Sequence, residues 1–176
     1  MSAEALLLST LLIPVAGFIL ILVTGSFPDL RESVTILASV LLFLSVFGLY
    51  GEFTTGVYPE IELFQPLPGL NISLAVEALG MLFALVASFL WIITSIYSIG
   101  YMRSNKEANQ TRFYACFAIA IFATMGIAFS ANLFTLFLFY EILTLSTWPL
   151  VTHSQSDQAR KAGRVYLGIL IGASFA

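Results

Sequence analysis

The stretch Asn132-Leu-Phe-Thr-Leu-Phe-Leu-Phe-Tyr-Glu141-Ile-Leu-Thr-Leu-Ser-Thr-Trp-Pro-Leu-Val-Thr152 decides how the rest of the chain is read. As a helix rising about 1.5 Å per residue, it matches a hydrocarbon core about 30 Å thick. Its one acidic or basic side chain, Glu141, falls at the middle. A charge near the bilayer centre costs on the order of 3 kcal/mol on insertion scales. Chains carry that cost where the group has a partner or a task, so Glu141 points to ion or proton movement across a membrane.

Composition agrees with a membrane setting. Apolar residues make up 59% of the 176, charged residues only 10%, and mean hydropathy is +0.97. A water-soluble domain is about 45–50% apolar and about 25% charged, so this chain has too few charges to cover a core in water. The single cysteine, Cys116, lies within an apolar run and reads as a small packing residue.

Four further stretches are long and apolar enough to span: Ala5–Thr24, Ser33–Tyr50, Leu74–Met102 with Glu77 near its first turn, and Phe113–Ala131. The expected fold is therefore an all-α integral membrane domain over 1–176, with five complete transmembrane helices and a sixth cut short. The sixth run begins at Val165 and reaches Ala176 with no cap, basic anchor or polar tail. That ending predicts the N-terminal piece of a longer protein; a short subunit whose last half-helix is covered by a partner is the alternative. The leader Met-Ser-Ala-Glu carries no positive charge, unlike a cleavable signal peptide. Pro14 is expected to kink the first helix.

All seven basic residues fall in alternate loops, at 25–32, 103–112 and 153–164, while the other side carries Glu4, Glu52, Glu60 and Glu62. Basic loops stay cytoplasmic, so the N-terminus is expected outside, in a multi-pass protein of the cell (inner) membrane. The loop Gly51–Ser73 holds Pro59, Pro66, Pro68, Gly56 and Gly69. It reads as an irregular cap over the outer helix ends, with short strands compatible around 57–58 and 60–64. Spans four and five, joined near Ser130-Ala131-Asn132, should form a tight hairpin, with Ala115, Ala118, Ala123 and Gly126 allowing close approach.

The chain shows no glycine-rich phosphate loop, no Cys or His cluster and no nucleophile–base pair. No catalytic residue, cofactor, metal or nucleic-acid partner is expected. The candidate proton-transfer residues are Glu141, Thr144, His153 and Glu77. Thr144 is the only hydrogen-bonding neighbour on the Glu141 face. No basic residue shares the depth of Glu141, which is then neutral and hydrogen-bonded, hydrated, or paired with a cation elsewhere. Pro149 frees the carbonyl of Leu145, beside the hydroxyls of Thr144, Ser146 and Thr147. His153 titrates near physiological pH and suits proton collection at the cytoplasmic end, or is simply solvated. Glu77 is an outlet-side group or an interfacial charge.

Phe139-Tyr-Glu-Ile-Leu-Thr-Leu-Ser-Thr-Trp-Pro-Leu-Val151 resembles the fifth-helix motif of the proton-translocating antiporter-like subunits of respiratory complex I, Mrp-type cation/proton antiporters and membrane-bound hydrogenases. Tyr97-Ser-Ile-Gly-Tyr-Met102 resembles the end of their third helix, Arg112-Phe-Tyr114 the start of their fourth. Val76-Glu-Ala-Leu-Gly80 is similar to their Val-Asp-x-Leu-Ser, with Glu77 in place of Asp. The resemblance implies about fourteen helices with two inverted repeats of five. It also implies a fifth-helix glutamate, matched by Glu141, paired with a lysine on a broken seventh helix that lies beyond residue 176.

The function that follows is that of a subunit moving H⁺ across the membrane within a multisubunit complex, through an intramembrane glutamate. Its partners would be sister membrane subunits and the lipid bilayer. H⁺ alone and H⁺ exchanged for Na⁺ both remain open, as do a cation/proton antiporter and an NADH-quinone oxidoreductase-type translocase as the parent complex. Any redox chemistry would belong to partner subunits. The competing reading is a structural membrane subunit that scaffolds partners without moving ions.

Overall fold

The computed structural model describes residues 2–67, 69–152 and 157–174. The element order is α1 (Ala3–Val23), α2 (Pro28–Thr54), β1 (Glu60–Leu67), β2 (Leu70–Ala75), α3 (Ala78–Ser104), α4 (Gln110–Ala128), α5 (Leu133–Val151) and α6 (Asp157–Ser174). Helices α1 to α5 are each long and apolar enough to cross a membrane. They are apolar on most sides, as lipid contact on one side and helix packing on the other require.

Helix α1 packs on α2, α2 on α3, α3 on α4, and α4 back on α1; α5 then lies on α4, and α6 on α5. The first four helices thus close a ring, and α5 stands outside it. Leu7, Ile21, Leu42, Met125 and Phe129 are fully buried in its core. Pro14 sits within α1 without ending it, since neighbouring helices and adjacent turns can satisfy the carbonyl that it frees. Small residues set the closest approaches. A Cβ on Gly80 would overlap the carbonyl oxygen of Ala128, and one on Gly126 would overlap the ring of Phe139. Ala115, Ala118 and Ala123 are buried along α4 as the spacing predicts.

Three boundaries differ from the hydropathy reading. Helix α2 begins at Pro28, so 28–32 are helical and not loop. Phe27 is the N-cap, Pro28 opens the first turn, and Asp29 lies within it. Proline loses nothing at that position, and an acidic group favours a helix N-terminus. Helix α6 begins at Asp157, eight residues before the apolar run, so the basic residues Arg160, Lys161 and Arg164 are helical. Asp-Gln-Ala-Arg-Lys-Ala is polar, but most of its residues are good helix formers. Helix α3 begins at Ala78, after a strand.

The connection after α2 is a β-hairpin, more regular than an irregular cap. β1 and β2 pair antiparallel from Glu60↔Ala75 to Leu67↔Leu70, with two register shifts. β2 is also tied to the α4–α5 turn. Ala75 N–H donates to the Phe129 carbonyl at 2.8 Å, and Ala131 N–H to the Ser73 carbonyl at 3.0 Å. These bonds hold 74–75 in extended backbone, although their apolar side chains read as the start of a span.

Candidate functional site

Helix α5 is capped at both ends by its own residues. The Asn132 side-chain oxygen accepts from Thr135 N–H at 2.8 Å, while its amide donates to the Asn71 carbonyl and the Ser73 hydroxyl, each at 2.9 Å. Thr152 closes the other end, its hydroxyl donating to the Trp148 carbonyl at 3.0 Å. Between them Glu141 falls at the helix midpoint.

Helical spacing divides α5 into two faces. Thr135, Phe139, Ile142 and Ser146 share the face turned to α4, where Phe139 meets Gly126 and stands edge-on to Phe122 at 5.4 Å. Glu141, Thr144, Trp148 and Thr152 lie on the other side. Helix α6 covers the lower part of that side, with Gly163 against Thr152 and Trp148. The hydroxyls of Thr147 and Tyr166 meet at 3.3 Å and join the two helices.

Glu141 is half-buried, and its Oε1 is fully buried with no hydrogen-bond partner among the described residues. Thr144, one turn along, is buried but gives Glu141 no hydrogen bond. No described lysine or arginine of α1–α5 sits at mid-helix. Arg31, Arg103 and Arg112 all lie within a turn or so of a helix end. A buried polar oxygen without a partner is costly, which sets this carboxyl apart from the other described acidic groups.

Glu77 stands apart from this group. It is the N-cap residue of α3, makes no side-chain capping bond and is exposed. It lines a groove of about 440 Å³ with Gly80, Phe83, Ser130 and Leu136 at the hairpin end of the bundle. Leu136 precedes Glu141 by five residues, about 7.5 Å along the axis. His153 lies outside the described residues. Cys116 is half-buried. Among the described residues no cluster of His, Cys, Asp or Glu suits a metal ion.

The sequence reading missed a polar cluster at the opposite end. Arg31 and Glu32 are both buried, at 4% and 5% exposure, and lie 3.5 Å apart. Arg31 also donates to Thr111 Oγ1 at 3.0 Å and Gln110 Oε1 at 2.8 Å, and its guanidinium sits 5.2 Å over the Tyr114 ring. Arg103 from α3 pairs with Glu32 and with Asp29. The signal was present in Phe-Pro-Asp, a helix start that carries Arg31 and Glu32 onto the first turns of α2.

Five membrane-capable helices with a carboxylate at the centre of one define a multi-pass cell-membrane protein. Residues 68–114 match the family described as NADH-Ubiquinone oxidoreductase (complex I), chain 5 N-terminus. The chain is 32% identical over 96 residues to Na(+)/H(+) antiporter subunit A1 of Staphylococcus aureus strain bovine RF122 / ET3-1. That match covers 54% of this chain and 12% of the relative. The same subunit from strain JH9 is 30% identical over 96 residues, with the same coverage. In solved structures, the fold is similar to a chain of the membrane-bound sulfane sulfur reductase, an archaeal respiratory membrane complex. The TM-score is 0.78 at 18% identity, covering 94% of this chain and 34% of that one. Over the matched residues the chain is similar to complex I chain 5 and to Na(+)/H(+) antiporter subunits. It spans about an eighth of the length of the curated relatives it matches.

Proposed function

We propose that the chain serves in a subunit of a multisubunit ion-translocating membrane complex and that Glu141 carries the proton. The observation behind this reading is the Glu141 Oε1, buried and without a partner among the described residues, at the midpoint of a membrane-capable helix. The carboxylate takes a proton from one side and releases it toward the other, so that one H⁺ crosses per cycle. Thr144 lines its face. Glu77 marks the outer end, and His153 collects protons at the cytoplasmic end. Sister membrane subunits are the partners, and Na⁺ is the counter-ion where exchange occurs. The similarity to Na(+)/H(+) antiporter subunits and to a respiratory complex chain supports this reading.

The test is Glu141→Gln in the protein as assembled in native membranes. Gln keeps the shape but exchanges no proton, and a neutral group costs less to insert. The expected outcome is near-complete loss of ΔpH formation in inverted vesicles, with assembled complex normal on a blot. Glu141→Asp should keep partial activity. Normal transport by the Gln variant at normal assembly would instead favour a scaffolding subunit with a neutral, hydrogen-bonding Glu141.

A further inference from the structure

The ring formed by α1 to α4 carries buried polar groups within its apolar core that the Glu141 reading does not use. Ser88, Trp91 and Ser95 recur at helical spacing on the buried face of α3, all 1% exposed or less. Tyr114 on α4 is equally buried. Trp91 Nε1, Ser95 Oγ and the Tyr114 hydroxyl are each buried without a hydrogen-bond partner among the described residues. From α1 and α2, Thr10, Thr35 and Ser39 are buried as well, each hydroxyl donating to a carbonyl of its own helix. The Ser9 and Ser45 hydroxyls meet across α1 and α2. Buried polar groups in native folds find partners, from the protein or from ordered water.

Position gives these groups a direction. Ser88 to Ser98 covers about 15 Å of the α3 axis, half of a hydrocarbon core. The file ends beneath Tyr114, whose ring supports the Arg31 guanidinium, and Arg31 is held by Glu32, Gln110 and Thr111. Arg31 Nε is itself buried and has no hydrogen-bond partner among the described residues. Helix α4 separates this file from Glu141, because α5 packs on the outside of the ring.

We propose that the interior of the α1–α4 ring is a water-bearing polar file, from Ser88 past Trp91 and Ser95 to Tyr114, entered at the Arg31–Glu32 end. Its ligand is water. A water beside Trp91 accepts a hydrogen bond from its Nε1–H, and waters further along exchange bonds with the Ser95 and Tyr114 hydroxyls. The file hydrates half the membrane's depth independently of α5.

The test is silver-ion accessibility in native membranes, because Ag⁺ is close to water in size and binds thiolates. Ser95→Cys and Ser88→Cys are compared with Ala123→Cys, an equally buried α4 position, each in a Cys116→Ala background. After Ag⁺ treatment, washing and denaturation, remaining thiols are labelled with a maleimide. Labelling of Ser95→Cys should fall at least fivefold while Ala123→Cys labels fully. Equal labelling of the two would overturn the proposal. Ser95→Ala and Tyr114→Phe give a second readout. In a dry interior, removing an unpartnered hydroxyl raises the thermal midpoint of the assembled protein. In a hydrated file the midpoint stays or falls, so a clear rise in both variants would also sink the idea.

Discussion

Arg103 and Glu32 tie the last turn of α3 to the first turns of α2: the Arg103 Nε–H is shared between Glu32 Oε1 at 3.1 Å and Oε2 at 2.8 Å. The two partners differ in surroundings. The Glu32 side chain is 6% exposed and that of Arg103 is 50% exposed. Glu32 also balances Arg31, which is buried beside it. The carboxylate is therefore the keystone of the cluster, and Arg103 reaches it from the rim.

Glu32→Gln should destabilise the protein strongly, by about 3–5 kcal/mol, because it leaves the Arg31 charge buried without a carboxylate. Asp29→Asn should do little, since the Asp29 side chain is 91% exposed and surface pairs contribute little. Thermal unfolding of the detergent-purified protein measures both. Equal losses in the two variants would show that burial of Glu32 does not set its contribution.

Gly126→Ala should weaken the α4–α5 contact by about 1–3 kcal/mol, the usual cost of overpacking. The added methyl would meet the Phe139 ring. Gly80→Ala should cost more. Its obstacle is the Ala128 backbone carbonyl, which has no rotamer with which to move aside. Gly100→Ala, with open space at the same atom, is the control. A ranking with Gly100→Ala as the most damaging would contradict the packing.

Asn132→Ala should cost about 1 kcal/mol for the lost cap alone. It also removes the amide bonds to Asn71 and Ser73. The hairpin should then loosen from the α4–α5 turn, and hydrogen exchange at the Ala131 and Ala75 amides should speed up relative to mid-helix amides. Unchanged exchange at both would mean that the backbone bonds alone hold β2 in place.

An outside N-terminus predicts that Glu60→Cys labels from the outer face and Lys106→Cys from the cytoplasm, in a Cys116→Ala background. Both positions are exposed, so labelling reports sidedness and not burial. The positive-inside bias is the warrant. Preferential labelling of position 60 from the cytoplasm would reverse the topology.

By itself the sequence determined the five membrane helices, the tight α4–α5 hairpin and the central place of Glu141. Each rests on a local count of apolar residues against the bilayer thickness, and such counts need no tertiary information. The same counts misplaced the ends. Hydropathy measures transfer to lipid and not helix formation, so polar helical turns at 28–32 and 157–164 read as loops. Leu74 and Ala75 read as membrane because their side chains are apolar, yet cross-strand and turn bonds hold them in β2. Only the tertiary structure decided that α1 to α4 close a ring with α5 outside it. It also buried Arg31 and Glu32, residues that read as a surface loop. Those outcomes depend on which faces meet across distant parts of the chain, as with Gly126 and Phe139 or Arg103 and Glu32, and no periodicity within one helix records its partner.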